Sequence, residues 1–263
     1  GITASLRILP DFLVIGVGRG GTTSCFHYLS QHPSIIGSAY DEIGFFDENF
    51  HLGLNWYRSM FPTKFLKKKI VKKFGKCLTY DVTPAYIRKP WVARRIKELF
   101  PEIKLIALLR NPVDKAYSHY NSKMQVEGDT KTTFEEIINA EIEIIEKNKK
   151  NIDDYAFLVN TFYELLLARG FYAKQLEFWF KKFPRKNILL ISSEELATNT
   201  DKTISEIFEF LEVPIQKISD LTKQNEIKYP KMKDSTREIL INFFKPYNEK
   251  LFGMLGRRFN WNE

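Results

Sequence analysis

A continuous apolar run followed by a glycine-rich turn constrains the fold of this chain most. The run is Phe12-Leu-Val-Ile-Gly-Val17, and it leads directly into Gly18-Arg-Gly-Gly-Thr-Thr-Ser24. An uninterrupted run with β-branched residues is typical of a strand buried on both faces of a parallel sheet. Phe26 and Leu29 then follow at helical spacing, and Pro33 ends the pattern. The start of the chain therefore predicts a strand, a glycine turn and a helix.

Strand and helix patterns alternate along the rest of the chain. This alternation predicts an α/β fold, a single P-loop-like domain with a central, mainly parallel sheet flanked by helices. Because no linker, repeat or low-complexity segment interrupts residues 1–263, one domain is expected over that range. The further predicted strands cover 77–80, 103–109 and 187–191, and the helices cover 90–99, 112–125, 133–146, 162–183, 200–211 and 235–251.

The glycine turn has the chemistry of a phosphate-binding loop. Residues 16–23 have the glycine and hydroxyl spacing of a Walker A loop, but Thr22 stands at the position of its lysine. Glycines let a phosphate approach the backbone, and the N–H groups at a helix start favour an anion. Arg19 supplies a cation, and hydroxyl residues continue to Ser24. Because a nucleoside-triphosphate enzyme needs the missing lysine, the loop favours a donor with one phosphate nearby.

A second polar group follows the predicted strand at 103–109. Arg110 stands at the carboxyl end of that strand, where open α/β sheets bind ligands, and Ser118 lies two helical turns further along. Taken alone, the two residues are better explained as an exposed arginine at a strand end and an ordinary helix serine.

Taken in order, the motifs of this chain resemble the sulfotransferases that use 3'-phosphoadenosine 5'-phosphosulfate (PAPS). The resemblance is to the glycosaminoglycan (heparan sulfate) type and related bacterial enzymes, and it runs from about Pro10 to Trp261. Several motifs in order are more specific than any one of them. They are Ile15-Gly-Val-Gly-Arg-Gly-Gly-Thr-Thr-Ser24, Asp41-Glu-Ile-Gly-Phe-Phe-Asp47, Trp56-Tyr57, Asp81-Val-Thr-Pro-Ala-Tyr86, Leu109-Arg-Asn-Pro112, Ser118-His-Tyr120, Phe171-Tyr172 to Trp179, and Gly256-Arg-Arg-Phe-Asn-Trp261.

The resemblance implies a donor site without a metal. Arg110 and Ser118 would bind the 3'-phosphate of PAPS, and Lys228 and Tyr229 are candidates for further phosphate and adenine contacts. The 5'-phosphosulfate would bind to Arg19, Gly20, Gly21, Thr22, Thr23 and Ser24.

The resemblance also implies a base for the reaction. Glu42 stands where the glycan enzymes have their catalytic base, and Phe45 and Phe46 predict that its carboxylate is partly buried, with a raised pKa. Arg19 would act as a second catalytic residue by stabilising the departing phosphate. The predicted activity is sulfuryl transfer to a hydroxyl or amine, most readily of a carbohydrate, with a small-molecule acceptor as the alternative.

This chain departs from the heparan sulfate enzymes at three places. Asp81 and Val82 stand where those enzymes have Glu-Lys before Thr-Pro, so a lysine that could touch the donor or the glycan is missing. Arg19 replaces the more usual lysine, which keeps the charge and changes its geometry. Residues 225–230 replace a loop with Lys-Gly-Arg and two cysteines. These departures weaken the case for a heparan-type acceptor.

The basic charge leaves other functions open. Lys+Arg number 40 and Asp+Glu 32, a formal charge of +8, which favours anionic ligands without naming one. Seven lysines lie between Lys64 and Lys76. This lysine run predicts a solvated helix face, a nucleic-acid contact or a grip on a polyanionic acceptor. The solvated helix would turn Phe65, Leu66, Ile70 and Phe74 inward. A P-loop kinase or NTPase with Asp81 as its Walker B acid is the other enzyme alternative.

The cysteines and histidines predict neither a disulfide framework nor a metal site. Cys25 and Cys77 are expected to be reduced core thiols. The histidines, His27, His32, His51 and His119, form no ligand motif. No stretch approaches the ~20 apolar residues of a membrane span. Cytoplasmic localisation is therefore expected, and the Golgi lumen is the alternative if an anchor preceded Gly1.

Overall fold

A five-stranded parallel sheet organises the fold in the computed structural model, which describes residues 3–128, 132–152, 154, 157–224 and 228–261. The strand order is β2-β3-β1-β4-β5, and each neighbouring pair is parallel. The predicted α/β fold is confirmed, and the short strand β2 is an addition to it. The strands are β1 (Phe12–Gly16), β2 (Ile35–Gly37), β3 (Leu78–Val82), β4 (Lys104–Leu109) and β5 (Ile188–Ser192).

Helices connect and flank these strands. Short 3-10 segments also occur, and Pro84–Arg88, directly after β3, is the one that matters for the site. The helices are α1 (Thr22–Ser30), α2 (Gly53–Ser59), α3 (Lys64–Phe74), α4 (Pro90–Leu99), α5 (Pro112–Glu127), α6 (Phe134–Lys147), α7 (Tyr172–Lys182), α8 (Ser193–Thr198), α9 (Thr200–Leu211) and α10 (Asp234–Leu255). Among these described helices, none combines the length and the apolar character needed to cross a membrane.

The sheet belongs to the first of two compact units, which comprises Gly1–Leu109 and Trp179–Asn225. Every residue of β1 is buried, as its uninterrupted apolar run predicts. The rings of Phe12 and Tyr80 stack across β1 and β3 with their centroids 4.9 Å apart. This core holds the carboxyl ends of β1 and β3 side by side.

The second unit comprises Arg110–Phe178 and Glu226–Glu263. Its core is formed by apolar residues of α5, α6 and α10 and of the segment before α7. The buried carboxylate of Glu141 accepts the backbone N–H groups of Leu166 and Leu167, each at 2.8 Å. A charged side chain thereby fixes the turn that precedes α7.

The predicted helix over 162–183 is wrong, because the chain breaks before α7. A 3-10 turn covers Ala168–Gly170, and Phe171 has φ −79° and ψ 60°, outside the helical region. A Cβ atom at Gly170 would lie 2.7 Å from a ring carbon of Phe244 and 2.8 Å from Cβ of Pro112. Close packing in the second unit therefore requires glycine at the break.

Candidate active site

Two glycines, Gly20 and Gly21, set the shape of the turn between β1 and α1. The Gly20 N–H donates to the Val17 carbonyl at 2.9 Å, and a Cβ atom at Gly20 would lie 2.7 Å from that same oxygen. Gly21, the residue before α1, has φ +83°, a left-handed conformation that favours glycine. The turn therefore has the close backbone approach and the helix start that an anion needs.

Polar contacts hold this turn in place. The Ser193 hydroxyl, directly after β5, donates to the Gly20 carbonyl, and the Gln224 N–H donates to Ser24 Oγ at 2.9 Å. Thr22 and Ser24 are buried, while Arg19 is half-buried with φ +64°. The sequence does not reveal the roles of Ser193 and Gln224, because neither belongs to a motif. Each comes to lie beside the turn only when the chain folds.

The predicted 3'-phosphate residues lie in the second unit. Arg110 follows β4 directly, and its carbonyl accepts the Tyr172 hydroxyl at 2.8 Å. Ser118 lies on α5 and exposes only 1% of its surface. Lys228 is exposed, and the Tyr229 ring meets the Tyr117 ring edge-on at 5.4 Å. The structure thus brings Tyr229 against the helix that carries Ser118, while the roles of all four residues stay predictions.

Glu42 lies in a loop that begins directly beside the end of β3. Its backbone N–H donates to the Val82 carbonyl at 2.9 Å, and its φ is +53°, which is uncommon for a residue with a side chain. Glu42 as a whole residue is exposed, while Phe45 and Phe46 are buried in the core. Even so, partial burial raises the pKa of the Glu42 carboxyl, and the neighbouring carboxylates Asp41, Asp47 and Glu48 raise it further.

Asp81, the aspartate proposed for the Walker B role, is fully buried at the end of β3. Its carboxylate accepts hydrogen bonds from the hydroxyls of Tyr57 at 3.0 Å, Thr83 at 2.9 Å and Tyr86 at 3.3 Å. Burial raises the pKa of Asp81 to about 6, although the three hydroxyl donors oppose this shift. Because these donors occupy its carboxylate, Asp81 has the surroundings of an internal hydrogen-bond acceptor and differs from a Walker B acid.

Most of the lysine run forms α3, and three of its four apolar residues that were predicted to face inward are exposed. Phe65 exposes 78% of its surface, and Leu66 and Phe74 are also exposed, so the predicted inward face is wrong for these three. The helix instead contacts its own unit partly through charge: Lys67 pairs with Asp11 at 3.0 Å. The outer side of α3 therefore presents lysines together with an aromatic ring.

Both cysteines are free and buried, as predicted. Burial raises the pKa of the Cys25 thiol to about 12, so the thiol is not a nucleophile at neutral pH. Within the described ranges, no three His, Cys, Asp or Glu side chains are grouped closely enough to hold a metal ion. Cytoplasmic localisation stays a prediction.

Comparisons with known proteins find the same family that the motifs indicate. The sulfotransferase domain family matches residues 9–248. Membrane-associated sulfotransferase kil1 of Dictyostelium discoideum is 27% identical, over 99% of this chain and 68% of that protein. Heparan sulfate glucosamine 3-O-sulfotransferase 3B1 of Mus musculus is 28% identical, over 98% of this chain and 66% of that protein. The crystal structure of a sulfotransferase from Alicyclobacillus acidocaldarius is 26% identical, with TM-score 0.71, over 97% of this chain and 100% of that one.

Proposed function

Because the chain belongs to the sulfotransferase family, it is a PAPS-dependent enzyme, and we propose that it sulfates a carbohydrate with Glu42 as the base. One observation carries the assignment of Glu42. β1 and β3 are adjacent parallel strands, so the glycine turn after β1 and the Glu42 loop beside the end of β3 lie at the same edge of the sheet. Sulfuryl transfer needs the donor phosphosulfate and a proton acceptor at one place, and the shared edge supports the assignment.

The two phosphate ends of the donor are assigned to separate groups of residues. The glycine turn, with Arg19 and the first N–H groups of α1, is suited to the 5'-phosphosulfate. Arg110 and Ser118 are assigned to the 3'-phosphate, and Lys228 and Tyr229 to further contacts. Because the glycine turn lacks the Walker A lysine, this donor is favoured over a nucleoside triphosphate.

The proposed chemistry is an in-line displacement at sulfur. The acceptor oxygen or nitrogen forms a bond to sulfur while the bond between sulfur and the 5'-phosphate oxygen breaks. Glu42 takes the proton that the acceptor loses, and its raised pKa suits a base that works near neutral pH. Arg19 and the N–H groups of the turn stabilise the negative charge that the departing phosphate gains.

The donor assignment is tested by calorimetry with 3'-phosphoadenosine 5'-phosphate, the product of the reaction. We expect this bisphosphate to bind more tightly than ATP with Mg²⁺, because the turn lacks the lysine that contacts β- and γ-phosphates. Tighter binding of ATP would contradict the assignment.

The base is tested with Glu42→Gln, with Glu48→Gln as the matched control. Glu48 is an exposed carboxylate of the same loop. We expect Glu42→Gln to lose about 10²- to 10⁴-fold in kcat with unchanged affinity for the bisphosphate. Glu48→Gln should retain most of the activity. Equal kcat values for Glu42→Gln and the unmodified enzyme would remove Glu42 from the role.

The acceptor is proposed from a relative that acts on heparan sulfate glucosamine by its name. Labelled PAPS offered with polysaccharides, glycolipids and small alcohols separates the candidates. We expect incorporation into a carbohydrate, at oxygen or nitrogen. Label that enters only the small alcohols would contradict a carbohydrate acceptor.

A further inference from the structure

Two of the three hydroxyls that donate to Asp81 also contact the Glu42 loop. Thr83 Oγ1 accepts the Gly44 N–H at 3.3 Å, and the Tyr86 hydroxyl accepts the Phe46 N–H at 3.2 Å. Each hydroxyl therefore stands between the buried carboxylate and one backbone N–H of the loop. The hydroxyls link Asp81 to the segment that carries Glu42.

The direction of these hydrogen bonds follows from chemistry. A hydroxyl has one proton to donate, and the ionised carboxylate of Asp81 can only accept. Once the protons of Thr83 and Tyr86 are directed to Asp81, the lone pairs of both hydroxyls remain for the loop N–H groups. Asp81 thus determines which way each hydroxyl is oriented, and that orientation makes the hydroxyls acceptors for the loop.

The loop needs such support because its backbone is strained. Glu42 has φ +53° and Gly44 has φ +63°, both in the left-handed region. For Glu42 this conformation is unfavourable and persists only when surrounding contacts enforce it. The far side of the loop is held separately, because Arg95 donates to the Phe46 carbonyl at 2.7 Å and Lys89 pairs with Asp47 at 2.6 Å.

We propose that Asp81 is a positioning residue for Glu42, acting through the hydroxyls of Thr83 and Tyr86. The inference rests on the proposed role of Glu42 as base. Asp81 itself is fully buried and does not touch the reacting atoms. Its function is to hold the loop in the conformation from which the Glu42 carboxylate reaches the acceptor proton.

Tyr57 provides a matched control for this link. Its hydroxyl donates to the same carboxylate oxygen as that of Tyr86, and its ring stacks on Phe45 with a centroid distance of 4.2 Å. Tyr57→Phe keeps that stacking and removes only a hydroxyl that donates to Asp81. Tyr86→Phe removes a donor to Asp81 together with the acceptor for the Phe46 N–H.

The experiment compares kcat for Tyr86→Phe and Tyr57→Phe, with bisphosphate affinity measured for both. We expect Tyr86→Phe to lower kcat by about 10- to 100-fold, the cost of a small misplacement of a reacting group, with donor affinity unchanged. Tyr57→Phe should change kcat by less than about threefold. Thr83→Val should resemble Tyr86→Phe, and Thr83→Ser, which keeps the hydroxyl, should restore most of kcat.

Hydrogen exchange and a double variant distinguish positioning from a general loss of stability. Amide exchange in residues 41–49 should be faster in Tyr86→Phe than in Tyr57→Phe. In the Glu42→Gln background, Tyr86→Phe should lower kcat no further, since the base it positions is already absent.

The outcomes separate this inference from the proposed function. If Glu42→Gln abolishes turnover but Tyr86→Phe behaves like Tyr57→Phe, the positioning role of Asp81 is wrong and the base stands. If Glu42→Gln is fully active, the base assignment fails, and the positioning role fails with it. An equal loss from Tyr86→Phe in both backgrounds also overturns the inference.

Discussion

At the scale of single residues, the glycine turn shows how one missing atom permits a conformation. A Cβ atom at Gly20 would collide with the Val17 carbonyl, whereas nothing lies within 4 Å of a Cβ atom placed at Gly18. Two glycines of one turn therefore have different reasons to be present. Gly20 is required by the fold of the turn, and Gly18 leaves open space beside it.

We predict that Gly20→Ala lowers the free energy of unfolding by about 1–3 kcal/mol, as expected for a steric conflict with backbone. Gly18→Ala, the control in the same turn, should change it by less than about 0.5 kcal/mol. Urea unfolding of the two variants measures both free energies of unfolding. Equal stability of both would show that the turn relaxes around the added methyl group.

Arg110 is the residue on which the 3'-phosphate assignment depends. Loss of a charge-assisted hydrogen bond costs about 1.5–3 kcal/mol, so Arg110→Ala should weaken bisphosphate binding by about 10- to 100-fold in calorimetry. Arg94→Ala is the control, because Arg94 is an exposed arginine of α4 paired with Glu98. If both variants bind equally well, Arg110 makes no phosphate contact.

At the scale of elements, the break before α7 shows tertiary packing overriding a helical pattern. The apolar spacing between 162 and 183 continues through Gly170, and nothing local forbids a helix there. At the break, Phe244 and Pro112 pack against Gly170 and leave no room for a side chain. Both are far from Gly170 in sequence, so the pattern could not reveal them.

Two glycines of the second unit give opposite predictions for the change to alanine. Gly170→Ala should lower the free energy of unfolding by about 1–3 kcal/mol through overpacking. Gly253→Ala in α10 should raise it by about 0.5–1 kcal/mol, because its Cβ meets nothing within 4 Å and alanine favours the helix. Thermal unfolding tests both; destabilisation by Gly253→Ala would contradict the open space beside that helix.

The exposed lysines of α3 are candidates to contact a polyanionic acceptor. If they do, the KM of a sulfated polysaccharide should rise steeply with salt, while the Kd of the bisphosphate changes less. Replacing Lys68, Lys69 and Lys72 with alanine should flatten that dependence. Lys76→Ala is the control, since this ammonium already donates to the Leu211 and Glu212 carbonyls. An unchanged salt dependence in the triple variant would leave α3 as a solvated face.

At the scale of the whole molecule, the buried Asp81 makes stability depend on pH. Its pKa is raised from 3.8 to about 6, so the folded state binds the proton more tightly than the unfolded state. The resulting stabilisation is full below about pH 4 and is lost as the pH rises through about 6, up to about 3 kcal/mol. The groups facing Asp81 are the hydroxyls of Tyr57, Thr83 and Tyr86, with Asp47 nearby.

We predict that urea unfolding reveals this loss as a difference between the unmodified chain and Asp81→Asn. The free energy of unfolding of the unmodified chain should fall relative to that of Asp81→Asn between pH 4 and pH 7. Taking the difference removes the other carboxyls, which titrate in both proteins. A constant difference across this range would show that Asp81 has an ordinary pKa in the folded state.

The sequence alone determined the parallel sheet, the glycine turn before α1 and the family. These features are local or follow a fixed chain order: β1 is buried on both faces, so its apolar run is uninterrupted, and a turn with Arg19 and three hydroxyls has few other uses. The family resemblance, which follows from the order of the motifs, made Glu42 and Arg110 candidates. Motif order needs no knowledge of which residues meet in space.

Only the tertiary structure decided what Asp81 and α3 do. From sequence, Asp81 is a candidate Walker B acid; in the fold it is an internal acceptor, because Tyr57, 24 positions away, lies beside it. Phe65 was expected to turn inward, and it is exposed instead. Burial, hydrogen-bond partners and pKa depend on atoms brought together from distant parts of the chain, so they are properties of the folded molecule.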